Sequence, residues 1–419
     1  MANNSSFALI GQAVSELWWI IFPWTFYYLF KILWMDYAAK YSANSWLRSW
    51  KWTILEIIPP REIEKGPQLM ESIFSGFAGV ITTYSTFDTY IKGAFMERFS
   101  VELVGEEGKV HFYIRTMKKH RNLVESHVYS KYPDAEILEV PDYTAKFPKI
   151  IPNRDWTLWG CDFEFQNPDP IPIRTYDRFE ESVTGEMIDP MATLIEVMGA
   201  LGPGQHIWLQ FILSPLNEKW NIDKGQKKVV EKLKGTLAES KGGILADISD
   251  VLSNVFKGLF GPVEFKAAEK KDLGPLEFRL SPGEKEVLKA TEENLGRNSF
   301  TTKMRFLFIS HCERFDKTFV SAFIGAIKQF NDANFNQMKP ENVSKTYASD
   351  KFLAESRKAF RQRKIYRRYR DRDMDGKKIV FSNKELATVY HFPDMGVKSA
   401  AITRTESKLG SAPPNLPVE

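Results

Sequence analysis

The stretch VHFYIRTMKKHRNLVESHVYSKYPDAEILEV, residues 110–140, is the part of the sequence that decides the predicted fold. It begins with a β-type apolar run, continues with apolar positions at helical spacing over residues 118–131, and ends with a second β-type run at residues 135–140. A strand, a helix and a strand therefore follow one another, which is typical of a fold that mixes helices with a sheet.

The same alternation extends upstream. Residues 52–58 and 99–104 are strand-like, residues 61–80 have helical spacing, and the turn GEEG after the second strand predicts a hairpin. The resulting order, β-α-β-β-α-β, is that of a ferredoxin-like unit, in which two helices cover one face of a four-stranded antiparallel sheet. We predict one such domain over residues 51–150.

A second, looser copy follows over residues 151–335. Its predicted strands are 156–165, 207–213, 276–280 and 304–309, and its predicted helices are 186–200, 283–295 and 315–330. Residues 214–275 form an insertion with a basic amphipathic helix, and they either pack on the sheet, contact a partner or lie on a membrane. The predicted fold class is therefore α+β, with two ferredoxin-like units. A basic helical segment with a short helix (336–395) and a linker-like tail (396–419) complete the chain.

Residues 17–34, LWWIIFPWTFYYLFKILW, predict a transmembrane helix, because their single charge is Lys31 and their length suffices to cross a bilayer. A cleaved signal peptide is disfavoured, since residues 1–16 lack Lys and Arg. A buried core helix is the other alternative, and the lack of a polar face argues against it. The predicted anchor residues are Leu17, Trp18, Trp19, Ile20, Ile21, Phe22, Pro23, Trp24 and Trp34, with Trp46, Trp50 and Trp52 at the membrane interface.

The basic residues Lys40, Arg48 and Lys51 all follow this segment. By the positive-inside rule, the N-terminus lies outside and the rest of the chain lies in the cytoplasm. The first domain, residues 1–50, is thus predicted to anchor a single-pass protein of the cell inner membrane, with the lipid bilayer as a partner.

Composition fits a folded protein, with 43% hydrophobic and 26% charged residues. The net charge of +4 is too small to imply a partner by itself. Only two cysteines occur, Cys161 and Cys312, which excludes a disulfide framework and fits a reducing compartment.

Positive charge is concentrated in RKAFRQRKIYRRYRDRDMDGKK, residues 357–378. Interleaved Arg and Tyr contact nucleic-acid backbone by charge and stacking, the same composition binds anionic lipid, and a solvated helix explains it equally well. The candidate residues for DNA or lipid contact are Arg361, Arg363, Lys364, Arg367, Arg368 and Arg370.

Catalytic motifs are missing from the sequence. The stretches beginning at Gly283 and Gly296 lack the second glycine of a phosphate-binding P-loop, and no G-x-S-x-G, H-E-x-x-H or C-x-x-C occurs. His120 and His127 lie two turns apart on one predicted helix without a matching carboxylate. We therefore predict no catalytic, cofactor-binding or metal-ligating residue, no cofactor, and a chain that is not a complete enzyme.

Four stretches carry a resemblance to a known family: PREIEKGPQLMESIFSGF (60–77), residues 110–144, KELATVYHFPD (384–394) and SAPPNLP (411–417). They resemble the N-terminal, non-motor part of membrane-anchored ATPases of uncultivated small-genome bacteria, which are related to conjugative coupling and type IV secretion ATPases of the HerA/FtsK-like group. In that family a hexameric P-loop motor follows the NLP segment.

This resemblance implies a role and transfers no catalytic residue. It implies an anchoring and assembly module of a type IV secretion or conjugation-like translocation machine, which acts as a homo-oligomer or with a partner ATPase. ATPase activity is then expected only in a C-terminal domain or in that partner. The alternative is a membrane-tethered nucleic-acid-binding protein that uses residues 357–378 to bind DNA.

Overall fold

The structure is a computed structural model that describes residues 19, 22–35, 50–63, 66–92, 94–179, 189–216, 281–347, 353–397 and 399–405. Several predicted features lie outside these residues: the anchor residues Leu17, Trp18, Ile20 and Ile21, the interfacial Trp46, nearly all of the insertion, the strand at 276–280, and the tail beyond residue 405.

Nine strands form the described sheet. They are β1 (Trp52–Ile58), β2 (Phe99–Glu106), β3 (Lys109–Met117), β4 (Glu136–Val140), β5 (Trp156–Phe165), β6 (Gln205–Pro215), β7 (Ser299–His311), β8 (Met338–Pro340) and β9 (Ile379–Ser382). Their order is β4-β1-β3-β2-β6-β7-β5-β8, and β9 pairs with β7. All of these pairings are antiparallel. The α+β class is thus confirmed.

The prediction of two ferredoxin-like units is wrong, because the strands form one continuous sheet. Strands β2 and β6 pair along their length, from Phe99 opposite Leu213 to Glu106 opposite His206. In a separate unit β2 would be an edge strand with unpaired backbone N–H and C=O groups, and β6 pairs with that edge here. Each half still orders its strands in the same way, β4-β1-β3-β2 on one side and β8-β5-β7-β6 on the other.

Helices cover both faces of the sheet. After the helical residues 22–35, the helices are α1 (Gly66–Ala78), α2 (Thr86–Ile91), α3 (Arg121–Lys131), α4 (Ala192–Gly199), α5 (Pro282–Leu295), α6 (Lys317–Lys328), α7 (Ala354–Arg370) and α8 (Asn383–Val389). Apolar residues of α1, α3, α4, α6 and α8 pack on one face, which we call the helical face. The opposite face is covered by α7 and by residues from the segment 143–151, and we call it the α7 face.

The helical face holds the larger apolar core because strand residues alternate between the two faces. In β2, for example, Val101 and Leu103 belong to this core, whereas Val104 belongs to the smaller core on the α7 face. Tyr390, just after α8, lies at the centre of the helical face. Its ring centroid is 6.1 Å from that of Phe112 and 6.3 Å from that of Phe211.

Helix α8 begins with a capping box, in which Ser382 and Glu385 bond to each other's backbone N–H. Its residues and those that follow, up to Phe392, are buried apart from Lys384. The stretches 60–77, 110–144 and 384–394, which carry the family resemblance, thus supply α1, β3, α3, β4 and α8. Helix α1 contacts both α3 and α8, so these stretches contribute to the core of the helical face.

The prediction of a transmembrane anchor and an inner-membrane location is contradicted. Among the residues whose placement is described, no helix is both long enough and apolar enough to cross a lipid bilayer. Residues 22–35, which include Phe22, Pro23, Trp24 and Trp34, are helical. Trp50 and Trp52 pack against each other beside Phe95 and Arg115.

Substitution of Leu209 tests the continuous sheet. Leu209 on β6 is fully buried and lies opposite Leu103 and Phe306. We expect Leu209→Ala to lower the free energy of unfolding by about 2–5 kcal/mol, because it leaves a cavity at the centre of the sheet. Urea denaturation followed by circular dichroism measures the loss.

Leu138→Ala is the matched control, because Leu138 lies on the outermost strand β4 and is 40% exposed. Its cost should stay within about 0.5 kcal/mol. Equal losses for the two variants would contradict a core that runs through the junction of β2 and β6.

Candidate functional site: a basic helix held by a buried charged row

A row of polar side chains crosses the α7 face of the sheet. Each member lies directly opposite the next on an adjacent strand, and the row reads Glu56, Tyr113, Glu102, Gln210, Arg305 and Asp162. Glu102, Gln210, Arg305 and Asp162 are at most 1% exposed. We call these six residues the charged row. Ionised side chains buried to this degree must be paired, since each isolated charge costs several kcal/mol.

Asp162 is paired with two cations of β7. Arg305 Nε donates to Asp162 Oδ1 over 2.8 Å, and Lys303 Nζ lies 2.7 Å from Asp162 Oδ2. Burial raises the pKa of Asp162, but the charges of Arg305 and Lys303 outweigh burial and hold the pKa below its ordinary value. The carboxylate is therefore ionised at neutral pH inside the protein.

Glu102 forms the second ionised centre of the charged row. Arg372 donates to both of its carboxylate oxygens over 3.1 and 3.2 Å, and Tyr143 donates to Oε2 over 2.6 Å. Burial raises the pKa of Glu102, and the charge and hydrogen bonds of Arg372 reverse the shift, so the pKa lies below its ordinary value. Arg372 also pairs with Asp142, so one guanidinium is shared by two carboxylates.

The charged row holds the C-terminal end of α7. Arg305 donates to the carbonyl oxygens of Arg368 and Asp373, over 2.8 and 3.1 Å. Gln210 donates to the Tyr369 carbonyl over 3.2 Å. The last carbonyls of a helix lack intrahelical donors and carry partial negative charge, so a buried cation is a favourable partner. These hydrogen bonds from the sheet fix the orientation of α7.

Helix α7 packs on the sheet through a narrow stripe. Its buried residues are Gln362, Ile365, Tyr366 and Tyr369. The Tyr369 ring centroid is 5.2 Å from that of Trp208, and Gln362 donates to the Leu158 carbonyl over 2.5 Å. The rest of the helix faces away from the sheet.

The predicted contact residues divide into two sets of three. Arg363, Lys364 and Arg367 are exposed, and none has a carboxylate within ion-pair distance among the residues that the structure describes. Phe360, which is 64% exposed, precedes them by three, four and seven residues. These spacings place all four on one side of a helix. We call them the outer face of α7.

The other three predicted residues bind the protein itself. Arg361 donates to the carbonyls of Lys345 and Tyr347, over 3.2 and 2.6 Å. Arg368 lies 3.7 Å from Asp373, and Arg370 donates to the Lys149 carbonyl over 3.3 Å. These contacts fix α7 rather than leave charge free for a partner.

Other titratable residues have structural roles. His391 and Asp189 are buried with 3.0 Å between Nε2 and Oδ1, which joins the segment after α8 to the start of α4. Burial raises the pKa of Glu385 to about 7, and the carboxylate caps α8. Both cysteines are free, Cys161 buried and Cys312 exposed.

No catalytic geometry emerges from the described part of the chain. Within it, no group of three or more His, Cys, Asp or Glu could hold a metal ion. His111 lies 2.6 Å from Glu56, His120 contacts Glu97, and His127 packs near Gly76. Two small depressions of about 230 and 330 Å³, including space open to solvent, lie near Asn294.

The fold and this site define an α+β protein in which a basic helix is held on one face of a nine-stranded antiparallel sheet. The chain belongs to the family Domain of unknown function (DUF8128), which it matches over residues 43–405. No curated protein matches it.

The pair formed by Arg372 and Glu102 provides a test of the charged row. We expect Arg372→Met to lower the free energy of unfolding at pH 7 by about 3–5 kcal/mol, since it leaves Glu102 buried and unpaired. Urea denaturation measures the loss. Arg121→Met, which removes a half-exposed ion pair with Glu125 and Glu139, should cost less than about 1 kcal/mol.

The same loss should depend on pH. The folded pKa of Glu102 lies below its ordinary value of 4.5, so its contribution is complete above that value and is lost as pH falls through the folded pKa. In Arg372→Met, burial, the largest influence on Glu102, is opposed by hydrogen bonds from Ser100 and Tyr143 and raises the pKa, so protonation of Glu102 reduces the destabilisation. The difference from the native protein should therefore shrink below roughly pH 5. A difference that stays constant down to pH 4 would contradict an ionised Glu102.

Proposed function

We propose that this protein binds nucleic acid through the outer face of α7. The observation that carries the proposal is that Arg363, Lys364 and Arg367 project together, exposed and without acidic partners among the described residues. Three cations on one side of a rigid helix suit the regularly spaced charges of a phosphate backbone. No base-reading arrangement is evident there, so the proposed binding is independent of sequence.

The way in which α7 is held supports the proposal. Its end is fixed by Arg305 and Gln210, and its inner side by Tyr366 and Tyr369. Because α7 is held at its end and along its inner side, its cations stay in place. Binding therefore does not require that the backbone become ordered first. The exposed Phe360 adds an aromatic surface on which an unpaired base can stack.

Removing the three cations tests the proposal. We expect Arg363→Gln/Lys364→Gln/Arg367→Gln to weaken binding to a duplex oligonucleotide and to reduce the slope of log affinity against log salt by about 2–3, since each phosphate contact contributes about 0.9. Fluorescence anisotropy at several salt concentrations measures both quantities.

The charge-matched control is Lys285→Gln/Lys317→Gln/Lys328→Gln, because these lysines are exposed on α5 and α6. It should leave the salt slope nearly unchanged. If both triple variants lose the same affinity, the attraction comes from net charge and the outer face of α7 is not the binding site.

Substitution of Phe360 distinguishes binding to single-stranded DNA from binding to duplex DNA. We expect Phe360→Ala to weaken binding to a single-stranded oligonucleotide by about 1–3 kcal/mol, the contribution of one stacked base, and to leave duplex binding unchanged. Phe360→Tyr keeps the ring and should behave like the native protein. Equal losses on both kinds of DNA would speak against stacking.

The role of an assembly module in a secretion or conjugation-like machine stays a prediction. It rests on the family resemblance, and no contact described in this chain bears on it. The DNA-binding proposal and this prediction are compatible, because the resemblance implies a machine that moves DNA or protein.

A further inference from the structure

A cluster of aromatic and arginine side chains lies on the α7 face, beyond the charged row. Trp50 is central: its ring centroid is 5.5 Å from that of Trp52 and 5.3 Å from that of Phe95. The guanidinium of Arg115 lies 3.9 Å from the Trp52 ring, and that of Arg98 lies 4.0 Å from the Phe95 ring. We call these five half-buried residues the tryptophan–arginine cluster.

The sheet brings the two arginines to the same area. Arg115 on β3 lies opposite Ser100 on β2, and Arg98 stands two residues before Ser100. A diagonal pair of this kind is separated by roughly 7–8 Å between neighbouring strands. Long side chains span that distance, so the two guanidinium groups can act on one ligand.

Among the residues that the structure describes, neither arginine has an anionic partner in contact with it. Over the described ranges, no carboxylate lies within ion-pair distance of Arg98 or Arg115. The nearby carboxylates are already engaged: Arg372 binds Glu102 and Asp142, while Arg368 lies 3.7 Å from Asp373 and 3.8 Å from Asp375. Burial lowers the pKa of both Arg98 and Arg115 to about 10, which reflects the loss of hydration around charges that stay positive.

Stacking leaves the hydrogen-bonding edge of a guanidinium free. An arginine that lies over a ring uses the face of its planar group, while its N–H donors point outward in the plane. Arg98 and Arg115 therefore offer two sets of donors that suit the oxygens of a phosphate. Beside them stand two indoles and a phenyl ring, the groups on which bases stack.

We infer that the tryptophan–arginine cluster binds a nucleotide, with the phosphate held between Arg98 and Arg115 and the base stacked on Trp50 or Trp52. The nucleotide is either a free mononucleotide or one unit of a single strand, since both present the same base and phosphate. Among the described residues, the two cations have no carboxylate within ion-pair distance and stand next to partly exposed aromatic rings, an arrangement to which a phosphate and a base can bind together. The site is separate from the outer face of α7 and does not rest on the DNA-binding proposal.

Isothermal titration of the full chain tests the inference with four probes: adenosine monophosphate, adenosine, inorganic phosphate and an eight-residue single-stranded oligonucleotide. We expect adenosine monophosphate to bind at least ten-fold more tightly than adenosine or inorganic phosphate. Arg98→Gln/Arg115→Gln should weaken it at least ten-fold, whereas the charge-matched Lys285→Gln/Lys317→Gln should not change it.

Two further variants distinguish the loss of binding groups from misfolding. Arg115→Lys keeps the charge but not the planar donors and should also weaken binding, while Trp52→Phe keeps a ring and should retain most of it. Thermal unfolding followed by circular dichroism shows whether each variant is folded. If a folded Arg98→Gln/Arg115→Gln variant binds like the native protein, or if neither nucleotide probe binds the native chain, the inference is overturned.

The oligonucleotide identifies the source of the nucleotide. Tighter binding of the oligonucleotide than of adenosine monophosphate, lost in the same variant, supports a single strand, and the reverse order supports a free nucleotide. The triple variant of Arg363, Lys364 and Arg367 should bind adenosine monophosphate like the native protein. Loss of adenosine monophosphate binding in that variant would contradict a separate site. The salt-slope measurement tests the DNA-binding proposal independently of this result.

Discussion

The ion pair between Arg305 and Asp162 is the interaction on which the arrangement of the α7 face depends. Both side chains are buried in adjacent strands, and Arg305 also binds the last carbonyls of α7. A charge in this position tolerates little displacement. If β7 slipped by one residue against its neighbours, Arg305 would turn into the apolar core of the helical face. The pair therefore fixes strand register and helix position together.

The two faces of the sheet have different roles. The helical face is filled by apolar residues such as Phe74, Phe211 and Tyr390 and supplies most of the buried apolar surface. The α7 face combines a smaller aromatic core around Trp208 with buried ions. Buried ion pairs add little net stability but penalise alternative arrangements. Both surfaces proposed to bind ligands lie on this second face.

The sequence predicted the local elements better than their assembly. Periodicity located strands close to β1, β2, β3, β5, β6 and β7, and helices close to α1, α3, α5 and α6, because these elements bury a regular apolar stripe. It could not show that β2 pairs with β6, since that pairing joins residues at least a hundred positions apart. The local alternation of apolar residues is the same in a strand at the edge of one unit as in a strand that pairs with a second unit.

The candidate site was predicted only in part, for a related reason. The basic run was found from composition, but its division into Arg363, Lys364 and Arg367 outside and Arg361, Arg368 and Arg370 inside depends on the stripe by which α7 packs. The charged row was not predicted, although Asp162 and Arg305 each stand between apolar residues of their strands and were a visible signal. The aromatic run near the N-terminus predicted a bilayer span from its composition and length, but no helix among the described residues is both long enough and apolar enough to cross a bilayer.

The position of α8 has a consequence for how the protein is made. Asn383 donates to Ser75 across 308 positions of the chain, and Tyr390 packs at the centre of a core whose walls include Phe74 and Phe112 from the first half. On the ribosome, the strands and helices of that half emerge long before the segment that completes them. In the nascent chain, the apolar residues that surround Tyr390 therefore remain without this partner until α8 has been synthesised. Contacts between residues so far apart in sequence also form slowly.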